Sequence, residues 1–284
     1  MKSFEYIAPQ EIKDVIKLLA DFNRDAQILA GGTDLLIELR KPSAKSQKVV
    51  VDISRLLELK GIEEFGNWVS IKPLATHTDI LQSKVIQQFA PLLRQAVSTI
   101  GSPQIRNRGT IGGNIMNAAA CADTVPPLMA LDAVVKLQSV EGERTVPIID
   151  FFVKPYQTVA AKNEILTEIR FLKLPNSATS VFIKLGRRNA LAISRLSVSA
   201  ILRKNDAGLI QEARIVPGAA FPKWQRMTEA EKILIGQKPS KDLFAAAGEK
   251  VSEVMISFTG RRWSTEYKEP VIAVLVRRAL EACQ

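Results

Sequence analysis

The chain has 284 residues, 46% hydrophobic and 24% charged, with a formal net charge of +10 at pH 7. That balance fits a folded globular protein of about two domains and excludes a disordered or low-complexity chain. Two distant cysteines, Cys121 and Cys283, exclude a disulfide framework and a cysteine-ligated zinc or iron–sulfur centre, and no apolar run approaches the ~20 residues of a membrane span.

The positive charge would attract nucleic acid, an anionic cofactor or an acidic protein. The basic residues, however, come as doublets such as Arg187-Arg188, Arg261-Arg262 and Arg277-Arg278, without interleaved stacking aromatics, so nucleic acid is set aside. The opening residues MKSFEYIAPQ lack the apolar segment of an export signal, so a cytoplasmic location is expected.

In chain order, a short strand around residues 4–7 precedes an amphipathic helix over 10–21, with Ile12, Val15, Ile16, Leu18 and Leu19 at near-helical spacing. Residues 27–30 read as a buried strand. The pair Thr33-Asp34 then caps a helix whose inward residues are Leu35, Leu36 and Leu39, and 48–53 returns as a strand. Strand and helix alternation over these residues is an α/β beginning.

A strand at 68–71 leads into a helix over 80–100 that breaks near Pro91. Residues 101–117, rich in Gly and Asn, have almost no periodic apolar face and read as a long functional loop. A short helix over 124–131 follows, then a hairpin of 133–140 with 144–149 and a strand over 165–174. Pro175-Asn176-Ser177 marks a domain boundary. Beyond it a strand at 181–184, antiparallel strands at 197–202 and 209–216, and helices at about 228–236, 240–256 and 266–282 predict a small α+β unit.

Two glycine loops carry the chemistry. In AGGTD, residues 30–34, Gly31 and Gly32 stand between a strand and a helix, where glycine lets backbone N–H groups approach an anion. Alone, such a loop is equally a tight strand-to-helix turn, and it matches neither GxGxxG nor the P-loop pattern. The second loop, GTIGGN at 109–114, offers another Gly-Gly pair flanked by Thr110 and Asn114, whose side chains can hydrogen-bond phosphate or ribose. Two such loops suit the two ends of one extended anion, and a dinucleotide is the natural candidate.

AGGTDLL at 30–36, TIGGN at 110–114, the following CADTVPPLMALDA, FIKLGRR at 182–188 and VLVRRALEAC near the end together resemble the FAD-binding medium subunits of molybdenum hydroxylases, the family of carbon monoxide dehydrogenase and xanthine dehydrogenase. The resemblance spans essentially the whole chain. It implies an α+β protein: a vanillyl-alcohol-oxidase-type FAD-binding domain over 1–175, with α/β subdomains of about 1–55 and 56–175, and a C-terminal domain over 176–284 with an antiparallel sheet and helices.

The same resemblance implies that Ile28, Leu29, Ala30, Gly31, Gly32, Thr33, Asp34 and Leu35, with Thr110, Ile111, Gly112, Gly113 and Asn114, wrap the FAD pyrophosphate, mainly through backbone N–H groups. Asp123 matches a FAD-binding position, through a ribose hydroxyl, and Ile100 a packing position. Leu166 and Lys184 match positions flanking the isoalloxazine ring, where a lysine ammonium favours the reduced ring. Ile193 falls where the chain passes the flavin face, although NALAISR departs from the more acidic stretch of NAD-reducing relatives.

On this resemblance the chain is an electron-transfer subunit. A large partner holds the molybdenum cofactor, a small partner holds [2Fe–2S] clusters, and FAD passes electrons to an external acceptor, the whole forming a dimer of heterotrimers. No residue acts as a catalytic acid or base, and no metal is bound by this chain. A self-contained flavin reductase or oxidase of the same FAD-domain type, and a binding module that has lost its cofactor, stay open as alternatives.

The single histidine, His77, is read as structural, within a helix-capping THTDI, and Cys121 as a packed thiol. Arg106, Arg108, Arg187 and Arg188 suit either a phosphate or a protein interface.

Overall fold

The computed structural model describes residues 3–41, 48–188 and 190–284. The chain begins with β1 (Glu5–Ile7), α1 (Ile12–Phe22), β2 (Ala26–Leu29), α2 (Leu35–Arg40) and β3 (Val49–Asp52), which build a parallel sheet in the order β1-β3-β2. Val49 faces Glu5 on one side and Ala26 on the other. The central strand is the uninterrupted apolar run Val49-Val50-Val51, as expected of a parallel strand covered on both faces. Against it α1 buries Val15, Ile16 and Leu19.

The next unit runs through β4 (Ile62–Phe65), β5 (Trp68–Ile71), α3 (His77–Gln82), α4 (Lys84–Phe89), α5 (Pro91–Ser98), α6 (Pro103–Arg106), α7 (Ile111–Asn117), α8 (Val125–Ala130), β6 (Val134–Ser139) and β7 (Gly142–Pro147). It closes with α9 (Ile148–Phe151), β8 (Phe152–Lys154), β9 (Gln157–Thr158) and β10 (Ile165–Leu172). Five of its strands form an antiparallel sheet in the order β4-β5-β10-β6-β7.

Three local readings change here. The helix expected over 80–100 is three helices: Ser83 ends α3 and caps α4 by accepting from the Ile86 N–H at 3.3 Å, and Pro91 opens α5. The loop expected over 101–117 holds α6 and α7, because Ser102 and Thr110 cap them and because Ile111 and Ile115 are buried in the core. Helix propensity in IGGN is poor, so tertiary packing decides. The edge strand β4, mostly exposed, and the small α9, β8 and β9 elements had no periodic signal to announce them.

The chain continues with β11 (Ala178–Leu185), β12 (Leu196–Lys204), β13 (Ile210–Gly218), α10 (Thr228–Leu234), α11 (Lys241–Thr259) and α12 (Thr265–Ala282). The three strands form an antiparallel sheet in the order β11-β12-β13. Residues Leu196, Val198, Ala200 and Leu202 of β12 point into a core shared with the helices. Ile201 instead joins Phe182, Val216 and Trp224 in the core of the preceding unit.

This sheet is therefore sandwiched, and the junction is tight. A Cβ on Gly218 would lie 2.8 Å from the Pro126 ring, the Phe182 N–H donates to Gln95 at 2.7 Å, and the Phe152 and Trp224 rings lie 4.7 Å apart. Arg214 donates to the Ala130 carbonyl at 2.7 Å and pairs with Asp132 at 2.9 Å. The consequence for function is placement: β11 is laid along α5, with its Lys184 beside the segment that follows α7.

Candidate functional site

The first glycine loop leaves β2 and enters α2. A Cβ on Gly31 would fall 2.0 Å from the carbonyl oxygen of Arg108, so glycine is required because the backbone of the second loop lies against it. Gly32 adopts φ +76°, a conformation that disfavours any side chain. The N–H groups of Gly31, Gly32, Thr33, Asp34 and Leu35 meet no acceptor among the described residues, and the first closed turn is the Leu36 N–H to the Gly32 carbonyl at 3.1 Å.

Asp34 stands at the N-cap of α2, but the expected side-chain cap is absent. A capping side chain needs an extended backbone to reach forward, and Asp34 sits at φ −103°, ψ −49°. Its carboxyl accepts from Asn117 at the end of α7; desolvation first, then the Glu38 charge, raises its proton affinity.

In the second loop the amides are used inside the protein. The Ile111 N–H donates to Ala75 at 3.0 Å, Gly112 to Pro73 at 2.9 Å, Gly113 to the Thr110 hydroxyl at 3.1 Å and Asn114 to the Thr110 carbonyl at 3.0 Å. A Cβ on Gly112 would meet the Pro73 carbonyl at 2.7 Å. The Asn114 side chain accepts from Thr124 at 2.6 Å, and its NH2 group donates to no acceptor among the described residues.

His77 lies beneath this loop. Its N–H donates to the Gly109 carbonyl at 3.0 Å, its ring is buried with Nδ1 unpartnered, and burial pushes its pKa down to about 4. Thr76, not His77, makes the capping box, accepting from the Asp79 N–H at 3.1 Å while Asp79 accepts from the Thr76 N–H at 2.8 Å.

A third wall comes from the segment after α7 together with β11. Asp123 is 6% exposed, yet it accepts from Lys184 Nζ at 2.7 Å on one oxygen and from the Ser194 hydroxyl at 2.5 Å on the other. Lys184 also donates to the Thr99 carbonyl at 3.1 Å, at the end of α5. Burial raises the proton affinity of Asp123, and the Lys184 charge and both hydrogen bonds pull it back. Cys121 sits between these walls, its thiol pushed up by burial and by Asp123.

The remaining expected residues divide. Ile28 and Leu29 lie in β2, and Ala30 follows at its end. Ile100 is half-buried, and its carbonyl accepts from Arg106 at 2.9 Å, which gives that arginine a structural partner. Leu166 is buried in the main core, paired with Leu137 across β10 and β6. Arg188 donates to the Ala190 and Leu191 carbonyls within its own loop, while Arg108 and Arg187 are exposed. Ile193 is 75% exposed, and Asn189 of the same stretch lies outside the described residues.

The structure thus gathers Asp34, Asn117, Cys121, Asp123, Lys184 and the two loops into one region. Sequence reasoning missed Ser194, Asn117 and Thr124: each is an isolated polar residue with no periodic or spacing signal. Among the described residues no cluster of His, Cys, Asp and Glu could hold a metal, and no helix is long and apolar enough to cross a membrane.

What the region offers chemically is a run of N–H donors and a largely buried ammonium, a donor set that suits an anionic cofactor. Comparison with known proteins bears on which one. Residues 2–174 match the family described as FAD binding domain in molybdopterin dehydrogenase, and residues 181–283 match the CO dehydrogenase flavoprotein C-terminal domain.

The chain is 33% identical to the nicotine 6-hydroxylase medium subunit of Paenarthrobacter nicotinovorans over 99% of this chain and 97% of that one. It is 34% identical to the glyceraldehyde dehydrogenase medium chain of Sulfolobus acidocaldarius over 98% and 97%. In structure it superposes on carbon monoxide dehydrogenase from Hydrogenophaga pseudoflava with a TM-score of 0.92 at 31% identity, covering 99% of this chain and 97% of the other. Matched along both parts, the chain belongs to the family of FAD-binding medium subunits of molybdenum-dependent dehydrogenases.

Proposed function

We propose that this protein is the flavin-carrying electron-transfer subunit of a cytoplasmic molybdenum hydroxylase. It would stand between a small partner with [2Fe–2S] clusters and an external acceptor, while a large partner holds the molybdenum cofactor, the complex being a dimer of heterotrimers. The observation that carries this reading is the run of five unpartnered N–H groups from Gly31 to Leu35 near the buried Lys184. Such donors without acceptors suit a pyrophosphate.

FAD supplies the capacity to take up electrons and release them again. The chain's own residues do the rest. Residues 28–35 would hold the pyrophosphate through the free amides, with Thr110, Ile111, Gly112, Gly113 and Asn114 as the opposite wall; the Asn114 NH2 group is the polar donor that this wall contributes. Lys184 would place its positive charge beside the ring, and a nearby cation favours the more negative, reduced state. Asp123 anchors that ammonium, and Ile100 and Leu166 would supply apolar packing around the ring. Domains of 1–175 and 176–284 then correspond to the cofactor-binding part and the part that delivers Lys184.

The test is direct: purified chain is mixed with FAD, desalted, and its visible spectrum recorded. Retention of about one FAD per chain is expected, and Lys184→Met should retain FAD but lower its midpoint potential. A folded wild-type chain that leaves the column colourless overturns the reading.

A further inference from the structure

We propose that Ser194 is a positioning residue for the flavin: its hydroxyl orients Asp123, Asp123 holds the Lys184 ammonium, and this relay also ties residues 190–195 to the cofactor site. The inference rests on the reading that FAD binds against Lys184.

The geometry is that of a closed relay. Ser194 and Asp123 are both 6% exposed, and the Lys184 side chain is 10% exposed. Each carboxylate oxygen has one donor, Ser194 at 2.5 Å and Lys184 at 2.7 Å, so the plane of the carboxylate is fixed from both sides. Of the three ammonium donors, Asp123 and the Thr99 carbonyl take two, and the third meets no acceptor among the described residues. It is free for a ligand carbonyl.

Ser194 also sits at the neck of a tight loop. The Arg195 N–H donates to the Leu185 carbonyl at 2.8 Å, a Cβ on Gly186 would lie 2.7 Å from that of Ala192, and Leu191 adopts φ +54°. Within this loop the exposed Ile193 directly precedes the buried Ser194. The hydroxyl is the bond that fixes the neck to the site.

Charge gives the relay its effect. With Asp123 ionised, the Asp123–Lys184 pair is neutral; with Asp123 protonated, it carries +1 and favours reduced flavin more strongly. A hydroxyl donor favours the ionised carboxylate, so Ser194 sets the pH at which the pair changes its charge. The charge that acts on Asp123 is that of Lys184 on β11; Cys121 lies on its own segment, between Asp123 and Asp34 of the first loop. None of them occupies the oxygen that Ser194 serves.

The experiment measures the midpoint potential of the FAD-loaded full chain from pH 9 down to the lowest pH at which it stays folded and loaded, for wild type, Ser194→Ala and Ser194→Thr. In Ser194→Ala the bend assigned to Asp123 should move to higher pH by about one unit, the size expected for losing one hydrogen bond to a buried charge. Ser194→Thr should restore the wild-type profile. Superimposable profiles for folded, loaded wild type and Ser194→Ala would falsify the inference.

The Asp123 carboxyl is also followed by carbon-13 NMR in flavin-free protein, where the same upward shift is expected. This second measurement separates the two claims. If wild type binds no FAD, the proposed function fails, and an unshifted Asp123 titration in Ser194→Ala overturns the relay independently. Should Ser194→Ala not fold, Ser194→Cys, a weaker donor, is expected to give an intermediate shift, and no shift overturns the proposal equally.

Discussion

From Gly31 to Leu35 the backbone presents five amides with no acceptor among the described residues, whereas every amide from Ile111 to Asn114 is bonded inside the fold. Both glycine pairs exclude side chains because something lies close, but the neighbours differ. Gly31 is pressed by the Arg108 carbonyl and Gly112 by Pro73. The first loop spends its missing side chain on exposing donors and the second on seating a helix. Similar glycine pairs therefore do different physical work, and the partners of the N–H groups tell them apart.

Gly31→Ala should have the largest effect. Its Cβ cannot coexist with the Arg108 carbonyl at 2.0 Å, so the loops must part. A loss of about 3 kcal/mol in urea unfolding is expected, together with a fall in FAD affinity of roughly 100-fold or more, by fluorescence titration. An alanine variant that binds FAD normally would dissolve the distinction between the loops.

Next is a pH effect confined to the second loop. His77 is neutral in the folded state with a pKa of about 4 and takes a proton more readily when unfolded. Its contribution is complete above about pH 6.5 and is lost as pH falls toward 4, a change on the order of 3 kcal/mol. Urea midpoints measured across this window should fall steeply for wild type and less so for His77→Gln; equal slopes would count against it.

Gly112→Ala sharpens the comparison with the smallest effect. Crowding Pro73 should cost about 2 kcal/mol of stability. FAD affinity of the folded fraction should change only a few-fold, since the amides there already have partners. A variant of wild-type stability that has lost FAD would reverse the assignment.

Part of the candidate site is legible in the sequence. Gly31, Gly32, Asp123 and Lys184 can be picked out by motif, because their chemistry depends on residue type at a given place in the chain. What could not be read is pairing. Nothing local in FIKLGRR says that Lys184 meets Asp123, or in AGGTD that Gly31 faces the Arg108 carbonyl, since both contacts arise from packing between distant segments. That the Asp34 side chain turns to Asn117 instead of capping α2 is likewise not written in the local sequence, because it depends on its backbone dihedrals and on a residue at the end of α7. The helix α7 escaped notice for the converse reason: weak propensity was overruled by burial of Ile111 and Ile115.

The contact of Gly31 with Arg108 also has a kinetic side. It joins a turn of the early parallel sheet to a loop that belongs with the antiparallel unit, and the Asp123–Lys184 pair spans a further 61 residues. Contacts of such sequence separation must close long loops before they return any energy, and so they form slowly. The proposed cofactor site is thus expected to be among the last features completed as the chain folds, and a nascent chain emerging without β11 would still lack the lysine that pairs with Asp123.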